Sequence, residues 1–69
     1  MSSLKINGKE KDFGDHMPSS LSELLEKLEV DDATVVAEID GKIIERSNFE
    51  TTKIETGQSI ELIRFVGGG

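Results

Sequence analysis

The last residues of the chain offer the clearest reactive group in the sequence. The segment 60–69, IELIRFVGGG, alternates apolar and charged residues and then continues into three consecutive glycines. Glycine has no Cβ, so such a segment can pass through a narrow channel in conformations that other residues avoid. Three extended residues span about 10 Å. We therefore expect residues 67–69 to form a flexible tail that carries the α-carboxylate of Gly69 into another protein's active site. Gly67 and Gly68 would be inserted into that site together with it.

The other side chains that could do chemistry do not form a catalytic set. The chain has no cysteine, which excludes disulfides, thiolate metal sites and a thiol nucleophile. His16 is the single histidine of the sequence, so a second imidazole for a metal site is missing. Asp31 and Asp32 are typical of a solvated turn, and Glu26 and Glu29 of a solvent-facing helix surface. We expect no stably bound cofactor, no metal site and no catalysis by this chain alone.

The composition indicates one small acidic domain. The chain has 69 residues, of which 35% are apolar, and a formal charge of −6. A chain of this length has a thin core, so we expect modest stability. The negative charge argues against nucleic acid and favours a basic protein surface as partner. Since no stretch has the length of a membrane span and the first residues lack a signal core, we expect a cytoplasmic protein, monomeric in isolation.

Two local motifs organise the first half of the chain. Asn7-Gly8 predicts a hairpin over residues 3–13, because both central residues of a type I′ turn need a positive φ. Ser20 and Glu23 have the spacing of a capping box at a helix start. Leucines at i, i+3, i+4 and i+7 then form one apolar helical stripe. The leucines of this stripe are Leu21, Leu24, Leu25 and Leu28.

The middle of the chain predicts a second pair of strands. Residues 33–49 indicate a strand, a turn at Asp40-Gly41 and a return strand. Side chains alternate between the two faces of a strand, so every second residue of the first strand faces the helix. They are Val35, Ala37 and Ile39.

A loop and a last strand complete the predicted domain. Residues 47–58 indicate a loop with short extended structure, and residues 59–66 indicate a strand. One helix and four or five strands favour an α+β fold of two layers, with the leucine stripe against one face of the sheet. We expect this domain to cover residues 1–66 and the glycine tail to cover residues 67–69.

The last strand predicts a docking surface beside the tail. Alternation places Ile63 and Phe65 on the sheet face away from the helix, with Val36 as a further member. A cluster of exposed apolar side chains marks an interaction site, and we expect Ile63, Phe65 and Val66 to dock a partner. The alternative is that the loop over residues 47–54 covers these side chains.

The element order and the terminal glycines resemble the ubiquitin-like β-grasp family, and within it the ThiS-type sulfur carriers of thiamine biosynthesis. The segments that carry the resemblance are LKINGKE at 4–10, IIERSNF at 43–49 and TGQSIELIRFVGGG at 56–69. The middle segment of this family tends to contain valine, proline, arginine and then an aromatic residue. Glu45 stands at the proline position, whereas Arg46 and Phe49 match the pattern.

The resemblance implies a sulfur carrier with a mixed sheet packed on one main helix. An E1-like adenylyltransferase of the ThiF type would use ATP and magnesium to adenylate the Gly69 carboxylate. A sulfur donor would then displace AMP and leave a thiocarboxylate. A thiazole synthase of the ThiG type would accept residues 67–69, and the sulfur would enter the thiazole ring of thiamine. The chain would be a co-substrate of these enzymes.

Three other functions are compatible with the same sequence. The first is the small subunit of molybdopterin synthase, which also ends in a glycine pair. The second is another ubiquitin-like carrier or a protein modifier, in which Gly69 would form an isopeptide with a lysine. The third is a non-covalent β-grasp docking module with inert glycines. Deleting Gly68 and Gly69 would distinguish this module from a carrier, because only the module would keep its function after the deletion.

Overall fold

The order of the elements is hairpin, helix, hairpin and last strand, as the sequence motifs predict. The computed structural model describes residues 2–64 of the chain. Two short 3-10 helices, which the sequence patterns did not indicate, cover Asp32–Thr34 and Arg46–Asn48. The helix and strands are β1 (Ser3–Ile6), β2 (Lys9–Asp12), α1 (Leu21–Lys27), β3 (Val35–Ile39), β4 (Lys42–Ile44) and β5 (Ser59–Arg64).

The described strands form a five-stranded mixed sheet in the order β2-β1-β5-β3-β4. Both hairpins are antiparallel, and β3 also pairs with β5 in an antiparallel register. The central pair is different, because β1 and β5 run parallel, with Ile6 opposite Ile60. The tail-bearing strand β5 therefore lies in the middle of the sheet and has a neighbour on each side.

The core lies between helix α1 and one face of the sheet. Within the described residues the buried apolar side chains are Leu4, Leu21, Leu24, Leu25, Val35, Ala37, Ile39, Phe49, Ile54 and Ile60. The predicted helical stripe is confirmed, with Leu28 half-buried at its end. The prediction that Val35, Ala37 and Ile39 of β3 face the helix is also confirmed. Phe49 and Ile54 come from the segment that was predicted only as a loop, so this loop contributes to the core.

The start of helix α1 is closed by backbone and side-chain acceptors. The amides of Leu21 and Ser22 donate to the carbonyls of Thr52 and Phe49, at 2.9 and 3.0 Å. The amide of Glu23 donates to the Ser20 hydroxyl at 3.1 Å, which confirms one half of the capping box. These bonds satisfy donors that a helix start leaves without intrahelical partners. They also fix the loop that carries Phe49 against the helix.

The other half of the capping box differs from the motif. The Glu23 carboxylate accepts a hydrogen bond from the Ser19 hydroxyl, whereas the motif directs it to the backbone amide of the cap residue.

Within residues 2–64, no helix is long and apolar enough to cross a membrane.

Candidate functional site

Within residues 2–64, three apolar side chains of the strands share the sheet face that points away from helix α1. Val36 on β3 is directly opposite Ile63 on β5. Ile43 on β4 is opposite Glu38, two residues along β3 from Val36, and such diagonal neighbours on one face lie about 7–8 Å apart. Ile63 is 52% exposed and Ile43 is 68% exposed. We call Val36, Ile43 and Ile63 the outer patch.

Two carboxylates lie next to the outer patch. Glu38 and Glu61 are direct partners across β3 and β5, on the same face as Val36 and Ile63. Like charges directly opposite each other destabilise a sheet. A basic side chain placed between these carboxylates would relieve that repulsion. Their position therefore favours a partner surface that presents a basic side chain beside an apolar contact.

Of the predicted docking residues, Ile63 is the one that lies within residues 2–64. Ile63 lies on the outer face and is exposed, so the loop over residues 47–54 does not cover it. That loop instead lies on the helix side, where Phe49 and Ile54 are buried. The role of Ile63 in docking stays a prediction. The other predicted site residues, Phe65, Val66, Gly67, Gly68 and Gly69, lie outside the described residues.

The segment IIERSNF forms one end of the outer patch. A cavity of about 330 Å³ opens there, and Val36 and Ile43 of the patch line it together with Arg46 and Phe49. Phe49 is only 2% exposed and closes the core beneath this cavity. Arg46 begins a 3-10 helix and is exposed at the rim. The arginine and aromatic positions that carry the family resemblance therefore have different tasks, one at the surface and one in the core.

Glu45 occupies a backbone conformation that proline would adopt. Its φ is −72° and its ψ is 145°, and the proline ring holds φ near −65°. The register with β3 ends at Ile44, so a proline at this position removes no ladder hydrogen bond. The departure from the family pattern therefore preserves the local backbone path.

We expect Glu45→Pro to raise the free energy of unfolding by about 0.4–1 kcal/mol. The reason is that proline reduces the conformational entropy of the unfolded chain at a position whose native φ already suits it. Denaturant unfolding monitored by circular dichroism measures the change. Glu45→Ala is the control, expected within about 0.5 kcal/mol of wild type, since it removes the same carboxylate. Destabilisation by proline would mean that the Glu45 amide has a necessary partner.

The tail-bearing strand β5 is held by a side chain from each hairpin turn. Asn7 and Asp40 both have a positive φ, 51° and 50°, and each precedes a glycine with a positive φ. The Oδ1 atom of Asp40 accepts from the Ser59 amide at 2.9 Å, at the start of β5. The Oδ1 atom of Asn7 accepts from the Leu62 amide at 2.7 Å, near its end. The Asn-Gly and Asp-Gly pairs predict the two turns but not these contacts.

Comparison with known proteins gives a consistent result. The sequence model of the ThiS family matches residues 4–69. A thiazole synthase from Paramagnetospirillum magneticum is 33% identical over 66 residues. That alignment covers 96% of this chain but only 20% of the relative, so the chain spans about one fifth of that protein's length.

Two solved structures are similar along nearly the whole chain. One is the crystal structure of the thiamine biosynthesis protein ThiS from Geobacter metallireducens. It has a TM-score of 0.79 and 36% identity, and the match covers 97% of this chain and 99% of that one. The other is an NMR solution structure of a thiamine biosynthesis protein from the same organism, with a TM-score of 0.80, 34% identity and coverage of 97% and 87%. The two-layer β-grasp fold is thereby confirmed.

Proposed function

The chain belongs to the ThiS family, and we propose that it is a sulfur carrier whose Gly69 carboxylate becomes a thiocarboxylate. The observation that supports this proposal most directly is the extent of the family match. It runs from residue 4 through residue 69 and so includes the glycine tail as well as the folded part. The chain is then a co-substrate that one partner enzyme loads with sulfur and another unloads.

The proposed chemistry proceeds by two substitutions. An oxygen of the Gly69 carboxylate attacks the α-phosphorus of ATP, pyrophosphate leaves, and an acyl-adenylate forms in the partner's active site. A sulfur nucleophile at the oxidation level of hydrosulfide then adds to the acyl carbon, and AMP departs with the electron pair of the C–O bond. The product is a thiocarboxylate, and neither step oxidises or reduces the carrier. Adenylation is needed because a free carboxylate has a poor leaving group.

The outer patch supports an E1-like adenylyltransferase of the ThiF type as the first partner. An extended tail of glycines has no side chains to bury, and ordering each of its residues costs about 1–2 kcal/mol or more. Affinity must therefore come from the folded part. Ile43 and Ile63 supply exposed apolar area, and the net charge of −6 favours association with a basic surface.

A thiazole synthase of the ThiG type is the proposed acceptor of the sulfur. The support for it is the relative from Paramagnetospirillum magneticum, in which a similar sequence forms about one fifth of a thiazole synthase. A carrier that shares a chain with an acceptor has a high effective concentration at the acceptor's active site. We propose that this chain delivers its sulfur to the same kind of enzyme, and that the sulfur enters the thiazole ring of thiamine.

Intact mass spectrometry tests the carrier function. The purified chain is incubated with an activating enzyme of the ThiF type, ATP, magnesium and sulfide. We expect a mass increase equal to the replacement of one oxygen by sulfur, and fragmentation should locate it at Gly69. Omitting ATP is the control and should leave the mass unchanged. An unchanged mass in the complete reaction, with an enzyme that modifies its own carrier, would contradict the proposal.

A further inference from the structure

We propose that Asn7 is a positioning residue that fixes the direction in which strand β5 leads toward the tail. This inference rests on the proposed carrier function, because a fixed direction matters only if the tail must reach a partner's active site. The observation behind it is the hydrogen bond from the Leu62 amide to the side chain of Asn7. Asn7 lies 55 residues earlier in the sequence.

The side chain of Asn7 takes the place of a strand carbonyl. The parallel pairing of β1 with β5 proceeds regularly through two bonds, from the Lys5 amide to the Gln58 carbonyl at 3.0 Å and from the Asn7 amide to the Ile60 carbonyl at 2.8 Å. At Asn7 the backbone turns away with a positive φ, so its own carbonyl leaves the direction of the ladder. The Oδ1 atom accepts the next amide of β5 in its place.

Within residues 2–64, the bond to Asn7 is the last hydrogen bond that the structure gives on that side of β5. Beyond Leu62, the described residues of β5 pair only with β3, through Ile63 opposite Val36 and Arg64 opposite Val35. The Asn7 bond therefore marks the change from a strand held on two sides to a strand held on one. Losing it would move this boundary back toward Ile60 and leave a longer part of β5 held by β3 alone, so that the direction of its end would be less fixed. A less directed tether lowers the effective concentration of the carboxylate at a fixed target.

The chain offers a matched control at the other end of the same strand. Asp40 has nearly the same backbone conformation, φ 50° against 51° for Asn7. Its side chain also accepts one amide of β5, but at Ser59, far along the strand from the tail. Asn7→Gly and Asp40→Gly each remove one such bond and keep a residue that favours positive φ. Asn7→Asp retains a side-chain oxygen at the same position.

Hydrogen exchange tests the contact without any partner enzyme. In Asn7→Gly, we expect the Leu62 amide to exchange about five to ten times faster after correction for global stability, the change expected for one neutral hydrogen bond. In Asp40→Gly, the Ser59 amide should change and the Leu62 amide should not. In Asn7→Asp, exchange at Leu62 should stay close to wild type. Unchanged exchange at Leu62 in Asn7→Gly would overturn the assignment of Asn7.

Steady-state thiocarboxylate formation tests the positioning role. With the carrier as the varied substrate, we expect Asn7→Gly to lower kcat at least about fivefold while KM stays within about twofold, since misplacing a reacting group slows turnover. Asn7→Asp should restore kcat, and Asp40→Gly should leave it near wild type. Equal losses in Asn7→Gly and Asp40→Gly would overturn the proposal in favour of a general effect on stability. A wild-type chain that accepts no sulfur would contradict the proposed function, while the exchange comparison would still decide whether Asn7 holds β5.

Discussion

Deleting Gly69 is expected to abolish thiocarboxylate formation and to leave the free energy of unfolding unchanged. The sheet and the core that the structure describes are formed entirely by residues within 2–64. The shortened chain would still have a terminal carboxylate, on Gly68, but about 3.3–3.6 Å short of the original position. A misplacement of about 1 Å can cost about a hundredfold in rate, so we expect a loss of at least a thousandfold. Intact mass spectrometry of the activation reaction measures the loss.

Two measurements separate this result from trivial causes. Thermal unfolding should give the same midpoint for the shortened chain and wild type, which excludes misfolding. Gly69→Ala keeps the length and the carboxylate and adds only one methyl group, so the size of its defect reports the width of the channel. Efficient sulfur transfer to the shortened chain would contradict the assignment of Gly69 as the residue that carries the sulfur.

The predictable part of the fold depends on local physical rules. The leucine stripe, the Ser20 cap and the Asn7-Gly8 turn each follow from residues within a few positions of one another, and the structure confirms all three. The parallel pairing of β1 with β5 brings together residues that are about 54 positions apart, and no local pattern encodes it. The resemblance to the β-grasp family supplied that part of the fold.

Phe49 and Ile54 show why some core residues could not be identified. Each stands among polar residues without helical or strand periodicity, so the periodicity signal that identified the helix is lacking. The structure nevertheless buries both, because the carbonyls of this loop accept from the first amides of helix α1 and hold it against the core. A single large apolar residue in an otherwise polar loop was the signal that could have identified them.

The candidate site was predictable in its apolar half. Alternation along β5 placed Ile63 on the outer face, and the structure agrees. Ile43 was missed, although the adjacent pair Ile43-Ile44 in a strand must place one side chain on each face. The contacts of Asn7 and Asp40 with β5 were also missed, because the Asn-Gly and Asp-Gly pairs were interpreted only as turns. A turn residue with a side-chain acceptor can have both tasks at once.

Ile63→Glu is the second change with a large expected effect, and it acts on docking. The wild-type side chain is 52% exposed opposite Val36, so we expect the free energy of unfolding to change by no more than about 1 kcal/mol. A new carboxylate in the outer patch would be desolvated in the complex and would stand beside Glu61. We expect the Kd for the activating enzyme to rise about 10- to 100-fold, as for a residue near the centre of an interface.

Binding kinetics of matched variants on the immobilised activating enzyme decide whether the outer patch causes the loss of affinity. Thr51→Glu introduces the same charge on the exposed loop beside the start of helix α1. Only long-range repulsion, screened by salt, would act from there, so we expect its Kd to stay within about twofold of wild type. Ile43→Glu changes the other exposed member of the patch and should weaken binding in the same direction as Ile63→Glu. Similar losses in all three variants would mean that total charge controls association. A loss confined to Ile63→Glu and Ile43→Glu would assign the affinity to the sheet face, because the tail is the same in every variant.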